Sequence, residues 1–365
     1  MTHGPEILTP FTGASTSTAD KSRMLRAIES GLQFLLSRVA ETGAITMEEG
    51  SEATDPGYYY KSVWALAAGG RLHEANLVAS YVEKNFHLRN GDFSGGKVRS
   101  SIEWFQRRYY AYLNTWFIIG SQKIGRFDLS LRSVDYIISY FDPKTGGFCN
   151  EKPYPHGAYL EDSQSASYCG HACLHVGRLE EAKKSGAFLI RLLKSQPPRV
   201  HGFYTSINER GHLIREYEKE DEIYRFMDFD KKEQYYFMVG FPVIFLSKLY
   251  LATHDRIYLN AARAYFNITK GCRDDVYASP PSGKLGFGST ILHGITHDES
   301  VGLAARKEVE FLLEHQEKDG SWRHFPGFHL YGNGEPISDI ARVDITAEFC
   351  TWLSEILQGS VIVDH

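Results

Sequence analysis

Cysteine is scarce in this chain: five among 365 residues (Cys149, Cys169, Cys173, Cys272 and Cys350), and an odd number. That argues against a disulfide framework and makes a reducing compartment, the cytoplasm, the expected location. A basic-then-apolar leader is also missing. Met1 to Lys21 is polar and rich in Ser and Thr, so residues 1–20 are expected to form a flexible tail. No apolar run is long enough for a bilayer. The longest, Phe237 to Ala252, is interrupted by Pro242 and Lys248, reads as a buried helix, and gives no reason to expect stable membrane insertion. Runs of Lys and Arg are absent and the net charge is −5, which argues against a nucleic-acid partner. A small-molecule substrate is the expected partner, with self-association left open.

Aromatic residues are abundant, with 22 Tyr and 22 Phe. They suit either an aromatic-lined cavity or tight helix packing. The stretch from Asp55 to Phe93 sets the pattern for the chain. Asp55-Pro56 resembles an N-cap with proline in the first turn, Tyr60, Val63, Trp64 and Ala67 follow at helical spacing, and Gly69-Gly70 ends the helix. A second run carries Ala75, Val78, Ala79, Val82 and Phe86 on one face and stops at Asn90-Gly91-Asp92-Phe93.

The unit recurs. Gly70-Arg71-Leu72 returns as Gly125-Arg126-Phe127 and as Gly177-Arg178-Leu179. Helices with a one-sided apolar stripe (20–40, 128–141, 179–194, 254–270 and 300–316) alternate with helices apolar on most sides (101–120, 161–177, 229–253, 283–297 and 344–358). About six such pairs predict a single all-α domain over residues 21–365, an (α/α)6 barrel, interrupted by a long insertion at 195–228. Turns from inner to outer helix are short, whereas the outer-to-inner connections are long. Function concentrates on long loops above a rigid scaffold, so the site is expected where the inner helices begin.

Those first turns supply Asp55, Tyr58, Tyr59, Tyr60 and Lys61; Glu103, Trp104, Arg107 and Arg108; Glu161, Asp162, Gln164 and Ser165; Asp228, Asp230, Glu233, Gln234 and Tyr235; Lys284; and Asp344 with Glu348. Asp55, Asp162, Asp344 and, deeper in its helix, His171 are the candidate acids and bases. Tyr59, Tyr60, Trp64, Trp104, Arg107, Arg108, Glu161, Glu233, Tyr235 and Glu348 are candidate substrate contacts. Structural roles compete with each assignment. N-capping alone accounts for Asp55 and Asp344, ion pairing for Arg107 and Arg108, and a satisfied buried imidazole for His171.

No metal or cofactor is expected. Cys169, His171, Cys173 and His175 lie on one helix, the cysteines on one face and the histidines on a nearly opposite one, so the four cannot converge on one ion. Gly283 to Gly288 follows no strand, unlike a nucleotide-binding glycine loop, and no nucleophile elbow is present.

Gln316-Glu317-Lys318-Asp319-Gly320-Ser321-Trp322 fits a Q-x-x-x-G-x-W repeat, and Asp142 to Phe148 ends in Gly-Gly-Phe. In both the chain resembles the α/α-toroid superfamily of terpenoid cyclases and protein prenyltransferases, over nearly its whole length. The resemblance implies the barrel fold and a cyclase or isomerase of a small, largely apolar natural product, terpenoid or polyketide-like. Carbohydrate epimerases, lyases and unsaturated-uronide hydrolases occupy the same architecture and form the alternative. The chain departs from both the cyclase and the prenyltransferase patterns. Asp228-Phe229-Asp230-Lys231 lacks the last Asp of the cyclase D-x-D-D motif, Asp274-Asp275-Val276-Tyr277 lacks the third carboxylate of D-D-x-x-D, and prenyltransferase zinc ligands have no counterpart. Cofactor-free acid–base chemistry by Asp, His or Tyr remains.

Overall fold

The computed structural model describes residues 18–93 and 108–361, without the side chains of 18, 19, 360 and 361. Most of the expected tail and much of the helix expected at 101–120 lie outside this range. Twelve helices of at least seven residues occur among the described residues, and outer and inner members alternate. The outer ones are α1 (Thr18–Leu36), α3 (Leu72–Asn85), α5 (Phe127–Ile138), α7 (Leu179–Lys194), α9 (Arg256–Ile268) and α11 (Glu299–Glu314). The inner ones are α2 (Ser62–Ala68), α4 (Tyr112–Lys123), α6 (Ser163–His175), α8 (Phe237–Thr253), α10 (Gly283–Thr296) and α12 (Asp339–Val361).

Burial follows the sequence pattern. On α5 only one stripe is buried, Leu129, Ser130, Ser133, Val134 and Ile137, as expected of a helix packed on one side. On α4 every residue from Tyr112 to Ser121 is buried, and on α6 every residue from Ser163 to Cys173. Inner helices pack in chain order, α2 on α4, then α6, α8, α10 and α12, and α12 packs back on α2. The ring is closed, and one hydrophobic core runs through it from Met24 to Leu357.

Two kinds of turn hold the ring. Three of the inner-to-outer turns carry a glycine at positive φ, Gly70, Gly125 and Gly177. The arginine that follows each one reaches an acid on the preceding outer helix: Arg71 to Glu29 at 2.6 Å, Arg126 to Glu83 at 2.7 Å and Arg178 to Asp135 at 2.7 Å. Such exposed pairs contribute little stability each, about 0–1 kcal/mol, but they fix the spacing between repeats.

The outer-to-inner turns explain the Q-x-x-x-G-x-W letters. Gln316 Nε2 donates to Ala27 O and Gly320 O, at 2.8 and 2.9 Å. Gly320 has φ +88°, and a Cβ there would meet Ser30 O of α1 at 2.0 Å. Trp322 is fully buried and its indole donates to Leu312 O at 2.8 Å. The last turn thus locks onto the first helix. Gly43, Gly91 and Gly146 repeat the close approach against α3, α5 and α7.

The 195–228 insertion is structured. Strands β1 (Leu160–Asp162) and β3 (Ser206–Asn208) pair antiparallel, as do β2 (Gly202–Tyr204) and β4 (Phe226–Asp228). Pairing of β4 delays the start of α8 to Phe237, eight residues beyond the expected Phe229, and moves Asp228 and Asp230 out of the inner ring. At the last helix the shift is opposite. α12 begins at Asp339, so Asp344 is not a helix cap but lies a turn further in. No described helix is long and apolar enough to cross a membrane.

Candidate active site

The first turns of all six inner helices, with the approaches to them, border one cavity of about 270 Å³. Tyr60 and Lys61 come from the approach to α2, Tyr112 from α4, Gln164 from α6, Tyr235, Phe237 and Phe241 from α8 and the segment before it, Lys284 from α10, and Asp344, Glu348 and Phe349 from α12. Leu330, Tyr331 and Ile337 of the long connection between α11 and α12 lie on the same wall. The size suits a small molecule, and the described lining combines aromatic and aliphatic side chains with Gln164, Ser338 and a charged band.

That band is a chain of ion pairs. Lys61 Nζ lies 2.7 Å from Asp344 Oδ2 and 2.5 Å from Glu348 Oε2. Lys284 pairs with Glu348 Oε1, which also accepts from the Trp352 indole at 3.1 Å. The lysines also stand over rings, Lys61 over Tyr60 and Lys284 over Phe237 and Phe241. Ring faces favour cations, which helps keep ammonium groups in so apolar a place.

The four groups titrate differently. Burial alone would raise Glu348, but the charges of Lys284 and Lys61 outweigh it and hold the carboxyl at about 2. Lys61 loses to burial but gains more from Asp344 and Glu348, and stays charged above its ordinary range. Lys284 is lowered, because burial exceeds what Glu348 returns. Burial raises Asp344 against the pull of Lys61. Its second oxygen, Oδ1, is shielded from solvent, and the neighbouring Tyr60 hydroxyl pulls the carboxyl down as a hydrogen-bond donor. Behind Lys284 lies Glu308 of α11, buried, with neither carboxyl oxygen bonded among the described residues, and pushed well up by that burial.

The sequence-selected residues divide. Asp344, Glu348, Tyr60 and Tyr235 border the cavity together. The other candidates among the described residues do not. Asp55 accepts from Gly57 N–H at 2.8 Å, capping the 3-10 turn Pro56–Tyr58, and is not on this cavity. Tyr59 turns outward, stacks on Tyr81 and donates to Ala53 O at 2.7 Å. Asp162 caps α6, accepting from Ser165 N–H at 2.6 Å, and burial lifts it to about 6. Glu161 is fully buried, accepts from Thr145 Oγ1 at 2.7 Å and is pushed by burial to about 8. Arg108 pairs with Asp221 at 2.5 Å and lies over Tyr224. Glu233 anchors the loop above the cavity, accepting from Leu330 N–H at 3.1 Å. Trp104 and Arg107 lie outside the described residues.

His171 and Trp64 sit below the cavity, lining a void of about 10 Å³ with Trp116, Tyr168 and Trp352. His171 Nε2 is 3.1 Å from His175 Nε2, and burial, then Lys248, holds both imidazoles well below their ordinary range. A neutral, hydrogen-bonded pair follows. Cys169 and Cys173 are free and buried, and no group of three metal-ligating side chains occurs among the described residues.

Lys61 and Lys284 stand among the rim residues of the sequence but outside its candidate site residues. Their signal was a lysine at the apolar start of an inner helix, where only a buried counter-charge makes it tolerable. Tyr112, Phe237 and Phe241 gave no separate signal, since every inner helix is aromatic.

No protein-family model and no curated protein matches the chain. Solved structures match its fold over nearly its whole length. A D-mannose isomerase aligns with TM-score 0.68 at 14% identity, over 94% of this chain and 100% of its own. An unsaturated glucuronyl hydrolase specific for heparin gives 0.62 at 10% identity, over 93% and 98%. A type II terpene cyclase from Scytonema gives 0.53 at 13%, over 94% and 100%. The chain has the α/α-toroid fold that these proteins share.

Proposed function

We propose that the chain is an enzyme that moves a proton within a small, largely apolar substrate, an isomerase or cyclase of a terpenoid or polyketide-like compound. The observation that supports it is Asp344. Lys61 holds one of its oxygens, the Tyr60 hydroxyl is a second hydrogen-bonding neighbour of the carboxylate, and Asp344 lies in the charged band of the cavity wall. Burial raises its basicity, as a carboxylate that exchanges protons with carbon requires. In this reading Asp344 takes the proton and Lys61, always charged, steadies the oxyanion that develops. Lys284 returns a proton to the substrate, because burial has loosened its hold on one, and it regains a proton from solvent while Asp344 releases the one it took. Glu348 stays ionised and fixes both lysines. The structural neighbours, an isomerase, a hydrolase and a cyclase, are enzymes, in keeping with a catalytic use of the fold.

A second reading has its own support. Lys61, Lys284, Gln164 and Asp344 give the wall enough polar groups for a sugar, and the D-mannose isomerase superposes better than the cyclase. Titration calorimetry separates the two with geraniol and glucuronate as probes. Geraniol binding with a negative heat-capacity change supports the apolar substrate. Glucuronate binding that fades with salt, with no geraniol binding, overturns it in favour of the sugar.

A further inference from the structure

The first turn of α6 is saturated with internal hydrogen bonds, except at one residue. Ser163 Oγ donates to Met238 O at 2.8 Å, Ser165 N–H and Oγ both donate to Asp162, and Ser167 Oγ donates to Ser163 O at 2.5 Å. Gln164 stands among them with 0% exposure, on the cavity wall, and neither its Oε1 nor its Nε2 has a partner among the described residues. Folding has removed this amide from water and, among the described residues, left it unsatisfied. A buried polar group without a partner costs stability, and such groups are rare unless something else binds them. A leucine would fill the same space without that cost.

From this we infer that Gln164 is the recognition element for the substrate's polar head, and that the head carries a hydrogen-bond donor beside an acceptor. A primary amide presents both in one plane. A group that satisfies both at once has the matching pair: a carboxamide, a protonated carboxyl or an enolised dicarbonyl. The neighbouring walls, Tyr112, Phe237 and Phe241, suit a flat unsaturated body attached to that head. The substrate class is therefore a planar unsaturated compound bearing an amide-like or enol–carbonyl group. The inference rests on reading the cavity as a substrate site, but not on the proton chemistry assigned to Asp344.

The test uses the full chain with benzamide and toluene as probes, followed by ligand-observed NMR titration. The native protein is expected to bind benzamide more tightly than toluene. Gln164→Leu is expected to weaken benzamide about tenfold or more while leaving toluene within about twofold. Its melting temperature should be unchanged or higher. Gln164→Glu removes the donor and should shift preference from benzamide to benzamidine. Failure of native protein to bind benzamide, or an unchanged benzamide-to-toluene ratio in Gln164→Leu, overturns the assignment. Should Gln164→Leu fail to fold, Gln164→Glu decides, and no gain for benzamidine overturns it. If Asp344→Asn keeps its turnover while these shifts appear, the catalytic reading falls and the recognition role stands.

Discussion

Lys61 Nζ and Asp344 Oδ2 meet at 2.7 Å across 283 positions of sequence, joining the approach to the first inner helix to the last. The same contact closes the ring and arms the cavity. Asp344→Asn keeps an oxygen for Lys61 but cannot exchange a proton. Turnover is expected to fall by about a hundredfold or more, with a small change in melting temperature. Steady-state rates and a thermal melt on the same preparation check this.

Glu348 carries two lysines, and its removal leaves Lys284 buried without its carboxylate and Lys61 with Asp344 alone. Glu348→Gln is expected to cost about 3–5 kcal/mol in denaturant unfolding. The pH dependence follows from its direction of shift. The folded carboxyl sits at about 2, below the ordinary 4.5, so its stabilisation is complete above 4.5 and fades as pH falls toward 2. Acid unfolding of the glutamine variant should lack that component.

Glu161 behaves in the opposite sense. Burial raises it from 4.5 to about 8, so the folded chain holds a proton that the unfolded chain has released. Its contribution therefore falls as pH rises from 4.5 and is fully lost above about 8. Glu161→Gln can keep the Thr145 hydrogen bond without the ionisation. It should melt at a higher temperature than the native chain at pH 8 and at the same temperature near pH 4.

Two glycines at positive φ separate conformation from packing. At Gly50 an added Cβ meets nothing within 4 Å, whereas at Gly320 it meets Ser30 O at 2.0 Å. Gly50→Ala should cost about 1 kcal/mol, the ordinary cost of a left-handed alanine. Gly320→Ala should cost clearly more, because the seam between the last turn and α1 must open. Chemical denaturation of both variants provides the comparison.

The repeat was legible in the sequence because each helix pair must bury its faces the same way. The Gly-Arg-Leu turns, the alternation of one-sided and all-round helices and the rim where inner helices start are all local patterns. Asp344 and Glu348, four apart on one helix, could be placed together for the same reason. Lys61 as their partner could not, since it lies more than 280 positions away. Asp55 shows the limit from the other side: an Asp before a Pro serves a cap and a site with the same letters, and here Gly57 N–H takes it. The start of α8 at Phe237 is not legible in the sequence because β4 pairs with β2, a contact that helical periodicity does not reveal.

The most direct measurement of the central claim is carbon-bound deuterium gained by the substrate in D2O, followed by mass spectrometry. With the compound class selected by calorimetry, the native chain should install deuterium and Asp344→Asn should not, while Asp55→Asn labels at the native rate. Labelling by Asp344→Asn as fast as by the native chain would contradict the account.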